Sequence, residues 1–175
     1  MTITDQPTLM LRAATDADDL AQVQQLCWEY RSHLMQNSPI DAKLTETFYP
    51  DPVYRQLMED LPKLHARPGG VILLASLGGR AVGCGMTHAL SPDTAEIKRV
   101  FTAPDARGHG VARALITALL DQARADGFSR AVLDTSVNLG PARALYTSLG
   151  FRERGPYQDI PEDVLPHLVF FEALL

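Results

Sequence analysis

A short segment with two glycines, RGHGVA at residues 107–112, stands between a predicted strand and a predicted helix. The first turn of a helix leaves about four backbone N–H groups without partners, and the helix dipole adds partial positive charge there. Gly108 and Gly110 have no side chains, so a phosphate group could approach the backbone closely. Arg107 and Arg113 would add positive charge within one turn. The pattern predicts a phosphate or pyrophosphate site, although it also fits a tight turn without a ligand.

Two elements would position this segment. The preceding strand is rich in β-branched and aromatic residues and ends before Pro104; they are Ile97, Val100, Phe101 and Thr102. The following helix has apolar residues at helical spacing, namely Ala112, Leu115, Ile116, Leu119, Leu120 and Ala123. Gly127 is predicted to end this helix in a left-handed conformation.

The segment matches neither a P-loop nor a dinucleotide fingerprint, because it lacks Gly-Lys-Ser/Thr and has Arg113 where the fingerprint needs glycine or alanine. It resembles the acyl-CoA signature of the GNAT superfamily of N-acetyltransferases, [QR]-x-x-G-x-[GA], here Arg107-x-x-Gly110-x-Ala112. A second pattern of that family, A-x-x-L-Y-x-x-x-G-F, occurs at residues 142–151. The resemblance implies acetyl transfer from acetyl-CoA to a primary amine of a small molecule or a peptide.

The resemblance also implies a set of cofactor contacts. The backbone of Val100 and Thr102 would pair with the pantetheine arm, and the N–H of Val100 or Phe101 would face the thioester carbonyl. The pyrophosphate would be held by backbone amides, with Arg107 beside them; these belong to Gly108, His109, Gly110, Val111 and Ala112. Asn138, one position away from where relatives often carry asparagine, would contact pantetheine or cap the following helix.

The reaction needs a proton donor for the leaving thiolate and an acceptor for the amine proton. By resemblance, Tyr146 is the candidate general acid, since a tyrosine with a pKa of about 10 is protonated at neutral pH and lies close to a thiol's ~8.5. Packing of the ring with its hydroxyl in solvent is the alternative. By resemblance, Glu96 is the candidate base, through a water, because it opens the strand that the family uses to line the acetyl group. Strand alternation would place it on one face with Lys98, Val100 and Thr102. A solvated glutamate at a strand end is the alternative.

The remaining pattern predicts an α/β (α+β) domain spanning residues 1–175. Strands are predicted at residues 9–12, on both sides of Gly78-Gly79, at 130–135 and in two closing segments. Helices are predicted after Thr15 or Asp16, over residues 53–65 and after the glycine segment. Residues 36–52, with three prolines, are predicted to form a loop. By resemblance this is the GNAT fold: a mostly antiparallel sheet of about seven strands, helices on both faces and one parallel βαβ crossover.

Composition excludes several classes of function. The net charge of −5 argues against binding to nucleic acid or an anionic membrane, while residues 98–113 carry a local positive charge that suits a polyanionic cofactor. The first residues resemble no signal peptide and no apolar run reaches 18 residues, so we expect a cytoplasmic protein. Cys27 and Cys84 are expected to be buried free thiols, and the scattered histidines favour no metal site.

The acceptor is the least constrained part. By resemblance its site would use residues 28–54 and 155–168, where aromatic and acidic side chains together would suit a cationic amine; these are Trp28, Tyr30, Phe48, Tyr49 and Tyr157, with Asp51, Asp159, Glu162 and Asp163. Ordinary exposed loops have the same composition. Two other functions stay open: a catalytically silent CoA-binding or regulatory module, and a phosphate-loop protein for another nucleotide. A homodimer is compatible with the resemblance.

Overall fold

A computed structural model describes residues 6–175. Its strands are β1 (Leu9–Ala13), β2 (Val71–Leu77), β3 (Arg80–Ser91), β4 (Thr94–Thr102), β5 (Arg130–Ser136), β6 (Arg152–Arg154) and β7 (Leu168–Leu174). Its α-helices are α1 (Ala17–Asn37), α2 (Pro39–Phe48), α3 (Asp51–Leu64), α4 (Val111–Ala125) and α5 (Gly140–Ser148). The seven strands form one sheet in the order β1-β2-β3-β4-β5-β7-β6. Only β4 and β5 pair in parallel within the described sheet, which confirms the predicted fold class.

The sheet has an apolar layer on each face. In β2, Val71 and Leu73 belong to the cluster around α4, whereas Ile72 and Leu74 belong to the cluster around α1 and α3. This strand is buried on both sides, so it appears in the sequence as a continuous apolar run. The tight hairpin predicted between β2 and β3 is confirmed, since both of its glycines adopt positive φ angles.

Residues 36–52 are helical, so the predicted loop is wrong. Ser38 caps α2 by accepting a hydrogen bond from the Asp41 backbone N–H at 3.0 Å, and Pro39 follows in the first turn. Pro50 and Pro52 stand in the same way at the start of α3. Proline lacks only an N–H that a first helical turn does not use, so all three prolines begin helices rather than break them.

The apolar spacing that predicts α3 is only partly buried. Val53 and Leu64 belong to that spacing but are 53% and 47% exposed, whereas Leu61 is fully buried. The residues that pack inward are Tyr54, Met58 and Leu61. Tyr54 also donates its hydroxyl hydrogen to the Cys27 carbonyl at 2.8 Å, so an amphipathic tyrosine, rather than the more apolar valine, sets the orientation of the helix.

The predicted β4–α4–β5 crossover is confirmed. Leu115, Ile116 and Leu119 of α4 are fully buried, and Gly127 ends the helix with a φ of 90°. The parallel pairing of β4 with β5 extends only from Thr94 to Glu96 on β4. Beyond Glu96 the two strands separate, so one edge of the C-terminal half of β4 is left without a strand partner.

A bulge in β4 overturns the predicted strand alternation. Cys84 pairs with Phe101 but Met86 pairs with Lys98, so β4 carries one extra residue between these pairs. Arg99 lies in the bulge with a φ of 53°. Ile97 and Phe101 therefore belong to opposite core clusters although they are four residues apart. Consequently Glu96 and Lys98 do not share a face with Val100 and Thr102.

Candidate active site

A groove of about 560 Å³ opens where β4 and β5 separate. Its walls come from α1, the C-terminal half of β4, the start of α4 and α5. Most of the residues expected to contact a cofactor line it, namely Val100, Phe101, Thr102, Arg107, Gly108, Gly110, Val111, Ala112 and Asn138, together with Tyr146. His109 is not among the lining residues. Tyr30, His33 and Asn37 of α1 complete the wall, a contribution that the sequence motifs did not predict.

The amides at the start of α4 are available to a ligand. Among the described residues, none accepts a hydrogen bond from the backbone N–H groups of residues 108–113. Gly110 is the N-cap of α4 with a φ of 75°, a left-handed conformation that glycine adopts without strain, and it offers no side chain to the helix end. This is the arrangement that the sequence predicted for binding an anion.

The local positive charge divides between two places. Arg107 and Arg113 line the groove near the free amides, and Arg113 also donates to Ser148 Oγ at 2.9 Å. Lys98 and Arg99 instead line a separate pocket, described below. The four cations of residues 98–113 therefore line two adjoining cavities rather than one, with the bulge and the end of β4 between the two pairs.

Among the described residues that line the groove, one buried side-chain oxygen lacks a hydrogen-bond partner. The Thr102 hydroxyl is buried and has no partner among the described residues. A buried hydroxyl without a partner costs about 1–3 kcal/mol, so a ligand that supplies one is stabilised. Together with the unpaired edge of β4, this hydroxyl fits the polar amide groups of a pantetheine arm, and the free amides of α4 fit its diphosphate.

Tyr146 of α5 lines the groove. Its ring packs beside Phe151 and Phe171, with centroid distances of 5.7 and 5.6 Å, and only 8% of the residue is exposed. Burial, with a contribution from the nearby Asp134 carboxylate, raises the pKa of Tyr146 to about 12. The ring is packed, as in the alternative interpretation, and the residue lines the groove. The hydroxyl remains protonated at neutral pH.

Asn138 does not cap α5, so that alternative is wrong. The N-cap of α5 is Leu139, which has no side-chain capping bond. The Asn138 amide nitrogen donates to Ser38 Oγ at 3.3 Å, and its backbone N–H donates to Ser136 Oγ at 3.1 Å. Asn138 thus joins the start of α2 to the end of β5 at the wall of the groove.

Glu96 is buried in a polar network outside the groove. Its carboxylate accepts hydrogen bonds from His88 Nε2 at 2.7 Å and from the Tyr157 hydroxyl at 2.6 Å, with Lys98 Nζ at 3.6 Å. Burial alone would raise the pKa of this carboxyl, but these three partners outweigh burial and lower it to about 2. Glu96 is not a solvated strand-end glutamate, and its low pKa makes it a weak base.

The network predicts a pH-dependent contribution of Glu96 to stability. Its pKa in the folded protein, about 2, lies below the ordinary value of 4.5, so the stabilisation is present above that value and is lost as the pH falls towards 2. We expect Glu96→Gln to lower the free energy of unfolding at pH 7 by about 3 kcal/mol. Urea denaturation at pH 7 and pH 3 would measure this, with a smaller loss expected at pH 3.

The matched control is Glu153→Gln. Glu153 is exposed and pairs with Arg143 at 3.3 Å, so its loss should change stability by less than about 1 kcal/mol. An equal loss for Glu96→Gln at both pH values would show that the network does not stabilise through the ionised carboxylate.

A second pocket, of about 140 Å³, adjoins the groove. Tyr30, Thr135 and Leu139 line both cavities, so they form the boundary between them. Four ionisable side chains, Asp41, Lys98, Arg99 and Asp134, also line the pocket. We call it the acceptor pocket. The two aspartates were missed, although an aspartate within the apolar run RAVLDTS was a signal that could have identified Asp134.

The residues expected to bind an acceptor are only partly brought together. Tyr30, Phe48 and Tyr49 line the acceptor pocket. Trp28 and Tyr157 do not, and none of the four predicted carboxylates does. Asp51 instead pairs with Arg55 and Asp163 with Lys43, each at 2.9 Å. The charge of the pocket is therefore set by residues of β4, β5 and α2.

Other expectations concern thiols, metals and membranes. Cys27 and Cys84 are buried free thiols, as predicted. Across residues 6–175, no cluster of three or more histidine, cysteine or acidic side chains could hold a metal ion. Over the same residues, no helix is both long and apolar enough to cross a membrane.

Comparisons with known proteins agree with this geometry. The family model described as the acetyltransferase (GNAT) family matches residues 28–151. An IAA acetyltransferase from Azospirillum brasilense is 39% identical over 104 residues, which is 57% of this chain and 66% of the relative. This chain spans less than two thirds of the length of the curated relatives that it matches.

Solved structures share the fold. An acetyltransferase from Streptococcus agalactiae superimposes with a TM-score of 0.73 at 19% identity, covering 95% of this chain and 98% of that one. An acetyltransferase from Salmonella typhimurium, solved with its cofactor acetyl-CoA, superimposes with a TM-score of 0.68 at 19% identity, covering 95% and 94%. With the family model matching more than half of its residues, the chain belongs to the GNAT family of acetyltransferases.

Proposed function

We propose that this protein transfers an acetyl group from acetyl-CoA to a primary amine of a small molecule or peptide. The observation that carries the proposal is that the two cavities adjoin. A groove with free amides shares Tyr30, Thr135 and Leu139 with a charged pocket, and Tyr146 lines the groove. A donor in the groove and an acceptor in the pocket would therefore lie next to each other.

Acetyl-CoA would supply the acetyl group as an activated thioester. The amides of residues 108–112 would bind its diphosphate, with Arg107 adding charge. The free edge of β4 would align the pantetheine arm, with Asn138 at the opposite wall, and the N–H of Val100 or Phe101 would stabilise negative charge on the thioester oxygen. The Tyr146 hydroxyl would donate a hydrogen bond, and then its proton, to the departing sulfur.

The amine must also lose a proton, and two carboxylates could accept it. Glu96 remains the sequence-based candidate, through a water, but its partners lower its pKa to about 2. Asp134 lines the acceptor pocket beside Thr135, and burial raises its pKa above the ordinary value. Because a base is most effective when its pKa approaches the working pH, we assign the role to Asp134.

Substitution of each carboxylate by its amide distinguishes these assignments. We expect Asp134→Asn to lower kcat/KM by about 100-fold or more, and Glu96→Gln to lower it by less than about 10-fold in the folded fraction. Steady-state acetyl transfer, with the folded fraction measured by circular dichroism, gives both values. A large loss in Glu96→Gln with a small loss in Asp134→Asn would return the role to Glu96.

The activity is tested by the release of free thiol from acetyl-CoA in the presence of a panel of amines, with CoA binding measured separately by calorimetry. Thiol release that depends on the amine supports an enzyme. Tight CoA binding without turnover on any amine would favour the silent CoA-binding module. Thermal stabilisation by ATP or NAD, but not by CoA, would point to another nucleotide.

A further inference from the structure

The Arg99 side chain is the unusual feature of the acceptor pocket. Its Nε atom is buried and has no hydrogen-bond partner. Within the described part of the chain, no carboxylate lies within 4 Å of its guanidinium group. Arg130 also has a buried Nε without a partner, but its Nη1 pairs with Glu172 at 3.3 Å. Arg99 is thus a partly buried cation without an anion.

The protein's own contacts do not compensate for this charge. The guanidinium carbon lies 5.5 Å from the centre of the Tyr49 ring, and Nη1 lies 4.0 Å from Met86 Sδ. A cation–π contact contributes about 0.5–2 kcal/mol and satisfies none of the five N–H donors in a directional way. A donor left unsatisfied costs about 1–3 kcal/mol, so a ligand that accepts hydrogen bonds from the Arg99 guanidinium would be stabilised.

The backbone conformation of Arg99 is energetically unfavourable as well. Its φ of 53° places a non-glycine residue in the left-handed region, at the bulge that separates Lys98 from Val100. Such conformations cost on the order of 1–3 kcal/mol and are concentrated at functional sites. The bulge brings Arg99 and Lys98 into the lining of the same pocket, which strict alternation would prevent.

The other charged groups of the pocket already have partners. Asp41 accepts hydrogen bonds from Asn37 Nδ2 at 2.6 Å and from the Ser136 hydroxyl. Lys98 lies 3.6 Å from Glu96. Asp134 accepts a hydrogen bond from Gln158 Nε2 at 3.3 Å and lies close enough to Tyr146 of the groove to raise the pKa of that tyrosine. Arg99 lies against Tyr49, which lines only the acceptor pocket. The pocket therefore presents an acidic group on the groove side and an unpaired guanidinium elsewhere.

We propose that the acceptor is a small amine that also carries a carboxylate, and that Arg99 recognises this carboxylate. This inference rests on the proposed function for the amine end, where acetyl transfer would occur beside Asp134. A guanidinium fork matches a carboxylate with two parallel hydrogen bonds. A pocket of about 140 Å³ favours a compact amino acid over a longer chain, because an apolar cavity of roughly that size holds a benzene-sized molecule.

The test compares amino acids with their carboxamides. Each of four amino acids is compared with the same molecule whose α-carboxylate is converted to the amide; the four are alanine, phenylalanine, aspartate and glycine. Every compound is titrated into the CoA-loaded protein by calorimetry and is also assayed for acetyl transfer. At least one acid is expected to bind 10- to 100-fold more tightly than its amide, with a KM lower by the same factor. The amide also mimics a peptide N-terminus, so the comparison separates free amino acids from peptides.

Variants locate the preference at Arg99. Arg99→Gln is expected to weaken binding of the acid by 10- to 100-fold while changing that of the amide by less than about threefold. Arg99→Lys is expected to retain part of the preference, since it keeps the charge but not the fork. Arg55→Gln is the matched control, because Arg55 lies on the exposed side of α3, over Trp28 and paired with Asp51, and should keep the full preference.

Several results would overturn the inference. Equal binding of acid and amide by the unmodified protein in every pair would do so, and this measurement requires no variant. An equal loss of both in Arg99→Gln would show that Arg99 acts only through the fold. If CoA does not bind or no amine is acetylated, the proposed function fails, and the acid–amide titration of the unliganded protein still decides the role of Arg99.

Discussion

Replacement of Tyr146 by phenylalanine should reduce kcat by about 100- to 10,000-fold, the usual contribution of a positioned general acid. The phenyl ring keeps the contacts with Phe151 and Phe171, so only the hydroxyl is lost. We therefore expect the affinity for CoA to change by less than about threefold. Steady-state assays of thiol release at saturating acetyl-CoA give kcat, and calorimetry gives the affinity for CoA.

Tyr54→Phe is the matched control for this substitution. The Tyr54 hydroxyl donates to the Cys27 carbonyl at 2.8 Å, and Tyr54 lines neither the groove nor the acceptor pocket. Its removal should lower the free energy of unfolding by about 1 kcal/mol and leave kcat nearly unchanged. If both phenylalanine variants lose activity equally, Tyr146 is not a general acid.

The pH dependence of kcat/KM is an independent test of the role of the Tyr146 hydroxyl. Because burial raises the pKa of Tyr146 to about 12, its proton is retained throughout the usual assay range. The value of kcat/KM should rise as the amine and its base lose protons, and should not fall on the alkaline side below about pH 11. A falling limb of kcat/KM near pH 9 that disappears in Tyr146→Phe would show that the free enzyme does not hold this pKa near 12.

Placing a carboxylate at Gly110 should weaken CoA binding more strongly than any neutral change at that position. Gly110 is the left-handed N-cap of α4 among the free amides. In Gly110→Asp the new carboxylate would accept those N–H groups and repel a diphosphate; two like charges 5 Å apart repel by roughly 3 kcal/mol at an effective dielectric constant of 20. The affinity for CoA should therefore fall on the order of 100-fold.

Gly110→Asn provides the control, because asparagine has the same shape as aspartate, lacks the charge and tolerates a positive φ. It should retain most of the affinity and show a similar unfolding transition. Calorimetry with CoA and the KM for acetyl-CoA measure both variants. Equal losses in the two would indicate a steric or conformational effect, and would remove the diphosphate from this end of the groove.

Local sequence determined the parts of the molecule that depend on neighbours along the chain. The free amides at residues 108–113, the helix that follows them and the Gly78-Gly79 hairpin were all predictable, because φ preference, helical spacing and missing donors are properties of a few consecutive residues. The same reasoning failed at residues 36–52. There the prolines were counted as helix breakers, whereas Ser38 and the position of each proline make them helix starts.

The chemistry of the pockets was decided by tertiary structure. The bulge at Arg99 depends on pairing with β3, and it moves Val100 and Thr102 to the face opposite Glu96 and Lys98. The low pKa of Glu96 comes from His88 and Tyr157, which are distant in sequence, and the pKa of Tyr146 is raised by burial that only the folded sheet provides. Electrostatic energies depend on distance and solvent exposure in space. The sequence therefore determined the free amides at the start of α4, while the folded sheet decided which side chains line the groove and the adjoining pocket and with what charge.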